Sequence, residues 1–339
     1  MGTLGPRASC VTRAALLSLQ LHVHPRRVWL LAAEAGACER VAAEHAPHLD
    51  VRCVAEDSVV EGVSRAKVDA FLEGELGGGS GGSGSGGRGG RRSGGRSGGS
   101  DGDGGAGGAL YAGRSLGGWY MQQLLKLGAA GSAALPGLSN SFLVWDMDMI
   151  ALRPPSFITA RWRAGSTGVA VTLLHAGGNA VGSYDAAVLS LAGVPSARAA
   201  DGSSLVANAM LFRTEVVKEL REAMGGEQDA AWAWAALAAA VRAPDPKLGF
   251  SEYQTYASWL LARRPQEAQI VGGRSRLTAT FWRHPIGAED LFARLGGGGS
   301  DGDGERCCPS AAQLWWSMLA GYQYVGWERG HQARCRALG

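Results

Sequence analysis

Two aspartates, Asp146 and Asp148, stand one residue apart in the segment FLVWDMDMIALRP, directly after the apolar run Phe142 to Trp145. Carboxylates at this spacing are hard oxygen donors. A hard cation such as Mn²⁺ or Mg²⁺ takes one or two protein carboxylates and fills its shell with water and phosphate oxygens. Held there, it offsets the charge that builds on a departing diphosphate. In a continuing strand side chains two residues apart lie on one face, and a turn at the strand end can draw both carboxylates to a single ion. The apolar run reads as a buried strand, and Asp146 falls where it emerges, the place where open α/β sheets bind ligands.

The spacing alone is not specific, since Asp101-Gly-Asp103 and Asp301-Gly-Asp303 repeat it. Those two lie among glycines with no strand before them, so nothing fixes their geometry and they read as solvated linker charges. A rival reading keeps the strand and makes Asp146 the nucleophile and Asp148 the acid of a haloacid-dehalogenase-type phosphotransferase. That chemistry asks for a downstream lysine and a later acidic pair. Only Lys218 and Lys247 follow Asp148, and the best acidic pair is Glu289-Asp290. The blandest reading makes both aspartates turn residues.

The elements that would position these groups alternate between helix and strand. VTRAALLSLQLHVHP reads as a helix, Val28 to Ala32 as a buried strand, CERVAAEHA as a helix, and LDVRCVAED as a strand ending on Glu56 and Asp57. SVVEGVSRAKVDAFLEGEL and RSLGGWYMQQLLKLGAA read as helices, the second leading into the FLVWD strand. Beyond it, STGVAVTLL and SLVANAMLF read as strands, and TEVVKELREAM and AWAWAALAAAV as helices. FSEYQTYASWLLARR reads as a helix capped by Ser251. RLTATFWRH and YQYVGWERGH read as short strands. This order is α/β. The first recognisable element is helical, so the expectation includes a sheet that lacks its opening strand.

Residues 77–108 are nearly all Gly, Ser, Arg and Asp, and a shorter stretch at 296–304 has similar composition. Such segments cannot repay the entropy of ordering and read as flexible insertions. The expected organisation is one domain, begun by residues 1–76, interrupted at 77–108, and completed by 109–339.

The formal net charge is +3, and the Gly-rich tract holds four arginines against two aspartates, which leaves the rest near neutral. That argues against nucleic acid as a partner. No apolar run reaches the roughly 18 residues that span a bilayer, and AALLSL lacks a cleavage site after it. The reading is of a chain without a membrane span, suited to the cytoplasm or a Golgi lumen. The six cysteines show no C-x-x-C spacing. A lumenal protein would pair some of them. The commoner fate of scattered cysteines is as small buried side chains, and the sequence leaves their redox state undetermined.

GGWYMQQLLKL, FLVWDMDMIALRP, SLVANAMLF, FSEYQTYASWLL, FWRH and YVGWERGH follow one another in an order that resembles the DUF6492-like group of GT-A glycosyltransferases. The matching blocks cover about 115 to 331 and, more loosely, 26 to 76. The resemblance implies a GT-A-like, Rossmann-type mixed sheet flanked by helices, a nucleotide-sugar donor, Mn²⁺ or Mg²⁺, and transfer of a sugar to a hydroxyl acceptor. It implies that Asp146 and Asp148 hold the metal and the donor diphosphate. Glu252 would act as the general base or as a hydrogen-bond partner of a sugar, although a carboxylate in a first helical turn also suits the helix dipole. Gln122, Gln123 and Lys126 share a helix, with Lys126 available to a phosphate or a nearby carboxylate. Asp57 is a candidate for the nucleoside, and His284 and His331 for a third metal ligand. Trp282 is the candidate to face an acceptor, the other tryptophans being assigned to the core. A non-catalytic glycan-binding relative is the alternative from a different class.

Overall fold

The computed structural model describes residues 2–4, 10–33, 35–77, 110–111, 114–155, 157–163, 166–174, 181–206, 209–271, 281–283, 311–319, 321 and 323–326. Both Gly-rich stretches lie outside these residues apart from Gly77, as do His284 and His331.

The chain opens with β1 (Gly2–Leu4), α1 (Cys10–His22), β2 (Val28–Ala32), α2 (Ala35–His45) and β3 (Val51–Ala55). The three strands form a parallel sheet in the order β1-β2-β3, with Gly2 beside Leu30 and Leu30 beside Cys53. A strand therefore does precede the first helix, which corrects the expectation that the opening strand is lacking. It was illegible because three residues that include a glycine carry no β-pattern, and the pairing with β2 is made by backbone groups. The five residues of β2 are all buried, as a continuous apolar run in a parallel sheet requires. Cys38 of α2 and Cys53 of β3 form a disulfide. Of the two fates the sequence leaves open this pair takes the bonded one, because the α2-to-β3 connection folds back and brings together two cysteines 15 residues apart.

Next comes α3 (Arg65–Gly77), which starts later than its apolar spacing suggests. Gly62, at φ +80°, breaks the chain direction before it, and the Asp57 carboxylate accepts the Arg65 N–H at 2.9 Å. The pair β4 (Leu110–Tyr111) and β5 (Arg114–Ser115) then leads into α4 (Leu116–Gly128). Ser115 caps α4 by accepting from the Gly118 N–H.

After α4 run β6 (Ser141–Trp145), β7 (Met149–Ala151), β8 (Ile158–Arg163), β9 (Ser166–Leu174) and α5 (Gly182–Ala192). Then come β10 (Ala209–Arg213), α6 (Thr214–Met224), α7 (Ala231–Arg242) and α8 (Glu252–Arg263). The described elements end with β11 (Ala268–Val271), β12 (Phe281–Arg283), α9 (Ala311–Leu319) and β13 (Tyr324–Gly326). Pairing is mixed: β6 is antiparallel to β10, while β9 lies between antiparallel β8 and parallel β11. β13 lies between antiparallel β7 and parallel β12. The molecule is α/β, as its sequence order indicates.

The largest core cluster gathers α3 to α8 around Leu124, Phe212, Trp232 and Tyr256. Every residue of α8 from Glu252 to Leu260 is buried, so this helix runs through the interior. Ser251 caps it by accepting from the Gln254 N–H, as its sequence suggests. Among the described residues, no helix is long and apolar enough to cross a membrane.

Candidate functional site

The strand β6 ends at Trp145, and the chain turns at once. The Met149 N–H donates to the Asp146 carbonyl at 2.9 Å, closing a turn over Asp146, Met147, Asp148 and Met149. The Trp145 indole N–H donates to the Met149 carbonyl at 2.9 Å and braces that turn. A turn at this place can bring both carboxylates to one ion. Met147, between the aspartates, is buried in the same cluster as Leu16, Leu30 and Cys38 of the opening unit. On the far side, the Ala151 N–H donates to the Ser18 hydroxyl of α1 at 2.9 Å. The D-x-D turn is thus seated on the opening unit through α1 and β2.

Behind the turn lies a buried ionic group built from two helices. Lys126 of α4 brings its Nζ to 2.6 Å from Asp146 Oδ1 and 2.7 Å from Glu252 Oε1. Its ammonium also stands 4.5 Å from the centre of the Tyr253 ring, a favourable cation–π placement. The Tyr253 hydroxyl donates to the same Asp146 Oδ1 over a longer 3.3 Å. With the Gln123 amide turned so that its NH₂ faces the acceptors, it donates to Glu252 Oε2 at 3.1 Å and to the Phe250 carbonyl at 2.7 Å. Its oxygen then accepts from the Trp119 indole N–H at 2.6 Å.

Burial sets the electrostatics. The Lys126 and Glu252 side chains are 9% and 4% exposed, whereas Asp146 is 25% exposed. Burial alone would lower the Lys126 pKa, but Asp146 and Glu252 outweigh it and hold the ammonium charged, well above the usual lysine range. Burial pushes the Glu252 carboxyl up from its ordinary value, with Lys126 opposing. The Tyr253 phenol is raised well above its ordinary value by burial, and then by Asp146 and Glu252, so it stays protonated and donates.

The candidates read from sequence divide accordingly. Asp146, Lys126, Gln123 and Glu252 come together, and Asp148 lies half-buried in the turn beside them. Gln122 is half-buried and, among the described residues, makes no hydrogen bond to this group. Asp57 sits at the end of β3, where its carboxylate caps α3. Glu252 has both oxygens engaged inside the protein, one by Lys126 and one by Gln123. Lys126 faces carboxylates. Tyr253 and Trp119 were not singled out as site members. Their aromatic rings read as core, and only their packing against Lys126 and Gln123 shows the polar ends at work.

Asp146 and Asp148 supply hard oxygen donors. Among the described residues no third His, Cys, Asp or Glu completes a cluster with them, and the two candidate histidines lie outside those residues. Gly326 and Arg283, the last residues of β13 and β12, align with each other, and Gly326 pairs with Met149, the residue after Asp148. His284 follows Arg283 directly in the sequence. Trp282 belongs to β12, and its side chain lies outside the description. Trp145 and Trp232 are core residues, while Trp315 and Trp316 of α9 are about half exposed, at 51% and 46%, unlike the core role expected of them. No protein-family model matches the chain, and no curated protein matches it either.

Proposed function

We propose that the chain is a metal-dependent glycosyltransferase of the GT-A type that moves a sugar from a nucleotide-diphosphate donor to a hydroxyl acceptor. One observation carries this reading: a D-x-D turn closes at the end of a buried strand, and its first aspartate is clamped by a buried lysine and tyrosine. Asp146 and Glu252 share the single ammonium of Lys126, Asp148 lies in the turn beside them, and Tyr253 feels all three acids. With every group ionised, two negative charges remain in excess, the complement of a divalent cation. The parallel β1-β2-β3 sheet, followed by β6 paired antiparallel with β10, supports a Rossmann-like opening of the GT-A kind.

In this reading Asp146 and Asp148 would hold Mn²⁺ or Mg²⁺, which when bound offsets charge on the donor diphosphate. The chain's own residues orient the pair. Lys126 and Tyr253 fix Asp146 Oδ1, and the buried Met147 fixes the turn between the two carboxylates. The test is Mn²⁺-dependent release of nucleoside diphosphate from a panel of nucleotide-sugars. Asp148→Ala is expected to abolish that turnover with the unfolding midpoint retained, and equal turnover in the variant would sink the assignment. A glycan-binding relative would instead bind glycans without binding a nucleoside diphosphate and Mn²⁺.

A further inference from the structure

We propose that Glu252 is not a general base but a positioning residue: by taking one N–H of Lys126, it stops that ammonium from neutralising Asp146 and keeps the aspartate pair open to a divalent cation. The inference rests on the metal reading above and deepens it.

The geometry is that of one cation shared between two anions. The Lys126 Nζ stands at almost equal distances from Asp146 Oδ1 and Glu252 Oε1, 2.6 and 2.7 Å. The two carboxylates differ in where they face. Asp146 is partly open to solvent, whereas Glu252 is almost fully enclosed and held at its other oxygen by Gln123. A proton acceptor must lie within hydrogen-bond reach of the group it deprotonates, and a carboxylate with both oxygens engaged inside the protein does not offer that. What Glu252 can reach is Lys126. Without it, the ammonium would pair one-to-one with Asp146 and cancel the charge that a metal ion needs. The groups facing Lys126 fit this role: Asp146 from the end of β6, and Glu252 and the Tyr253 ring from the first turn of α8.

The role predicts that removing Lys126 restores the Mn²⁺ affinity lost when Glu252 can no longer hold the ammonium. The full chain is titrated with Mn²⁺ alone by calorimetry, as wild type, Asp148→Ala, Glu252→Gln and the double variant Lys126→Met/Glu252→Gln, each checked for folding by thermal unfolding. Wild type is expected to bind and Asp148→Ala to lose binding. Glu252→Gln should weaken Mn²⁺ roughly tenfold or more, the size that groups behind metal ligands commonly carry. Adding Lys126→Met should restore most of that loss, because the unshared ammonium is gone. Unchanged affinity in Glu252→Gln, or no recovery in the double variant, overturns the inference and leaves the metal reading standing. If Glu252→Gln does not fold, the double variant decides alone: affinity close to wild type supports the role, and a loss of tenfold or more overturns it. If wild type shows no Mn²⁺ binding that Asp148→Ala removes, the metal reading itself fails and the inference falls with it.

Discussion

Lys126 is an ammonium held between two carboxylates with little access to water, so its removal strands charges rather than merely deleting a contact. Breaking such a pair by taking away one partner costs about 3 to 5 kcal/mol. Lys126→Met is therefore expected to lower stability by about 3 kcal/mol near neutral pH in denaturant titrations. Lys126→Met/Glu252→Gln, which also removes the most deeply buried acid, should recover part of that loss. The pH dependence has a definite sign. Burial already raises the Glu252 carboxyl and Lys126 opposes that rise, so without the ammonium it moves further up. A carboxyl whose folded pKa lies above its unfolded value loses stability as pH increases through that range. The deficit of Lys126→Met relative to wild type should therefore shrink as pH falls from 8 toward 5, and a deficit that grows on acidification would contradict the account. At this scale the sequence told much about which residues are chemical and little about their partners. Asp146 and Asp148 were selected from type and spacing, while Gln123, Lys126 and Glu252 came with the family resemblance. Lys126 lies 126 positions from Glu252, and nothing local in either segment says that they meet.

Helices α4 and α8 make that meeting possible, and a few close contacts set their relation. The Tyr120 hydroxyl, in the same helix as Lys126, donates to the Pro246 carbonyl and accepts from the Gly249 N–H at 3.2 Å, just before α8 begins. Gln254 ties α8 to the loop before β10 by accepting from the Leu205 N–H at 2.7 Å and donating to the Ala197 carbonyl at 2.6 Å. Gly249 is required here for space rather than for conformation. A Cβ there would stand 2.2 Å from the Ala240 carbonyl oxygen of α7 and 2.6 Å from its Cα. Those are backbone atoms that cannot swing aside, so Gly249→Ala must push the start of α8 away from α7. Overpacking of this kind costs about 1 to 3 kcal/mol or more. A loss of at least about 1 kcal/mol is expected in thermal unfolding, and a neutral effect would mean that the approach of α7 is looser than described. Element limits were readable where period and caps agree: β2 and α6 fall where their patterns place them, and Ser251 caps α8. The reading failed where pattern is thin or tertiary context intervenes. Gly62 and the Asp57 cap delay α3, and the three-residue β1 and β7 owe their existence to partners distant in sequence.

The opening unit and the rest of the molecule are joined at the candidate metal turn, so stability in one bears on the other. Met147 lies in the same buried cluster as Cys38, Leu16 and Leu30, and α1 reaches β7 through Ser18. The Cys38–Cys53 disulfide fastens α2 to β3 within that unit. Closing a loop of this length with a covalent bond restrains the unfolded chain and contributes about 3 kcal/mol. In a chain with the sparse opening sheet seen here, that is a substantial part of a total stability usually near 5 to 15 kcal/mol. A thiol reductant is therefore expected to lower the unfolding midpoint of wild type. Cys38→Ser/Cys53→Ser should unfold below wild type in the absence of reductant. Because Met147 and Cys38 belong to one buried cluster, the loss should also be felt at the D-x-D turn, as weaker Mn²⁺ binding in the double serine variant than in wild type. A reductant-insensitive midpoint would show that the bond does not form or adds nothing. A lower midpoint with unchanged Mn²⁺ affinity would instead show that the turn is held from the β6 and β13 side alone, and that the opening unit stabilises the molecule without shaping its metal site.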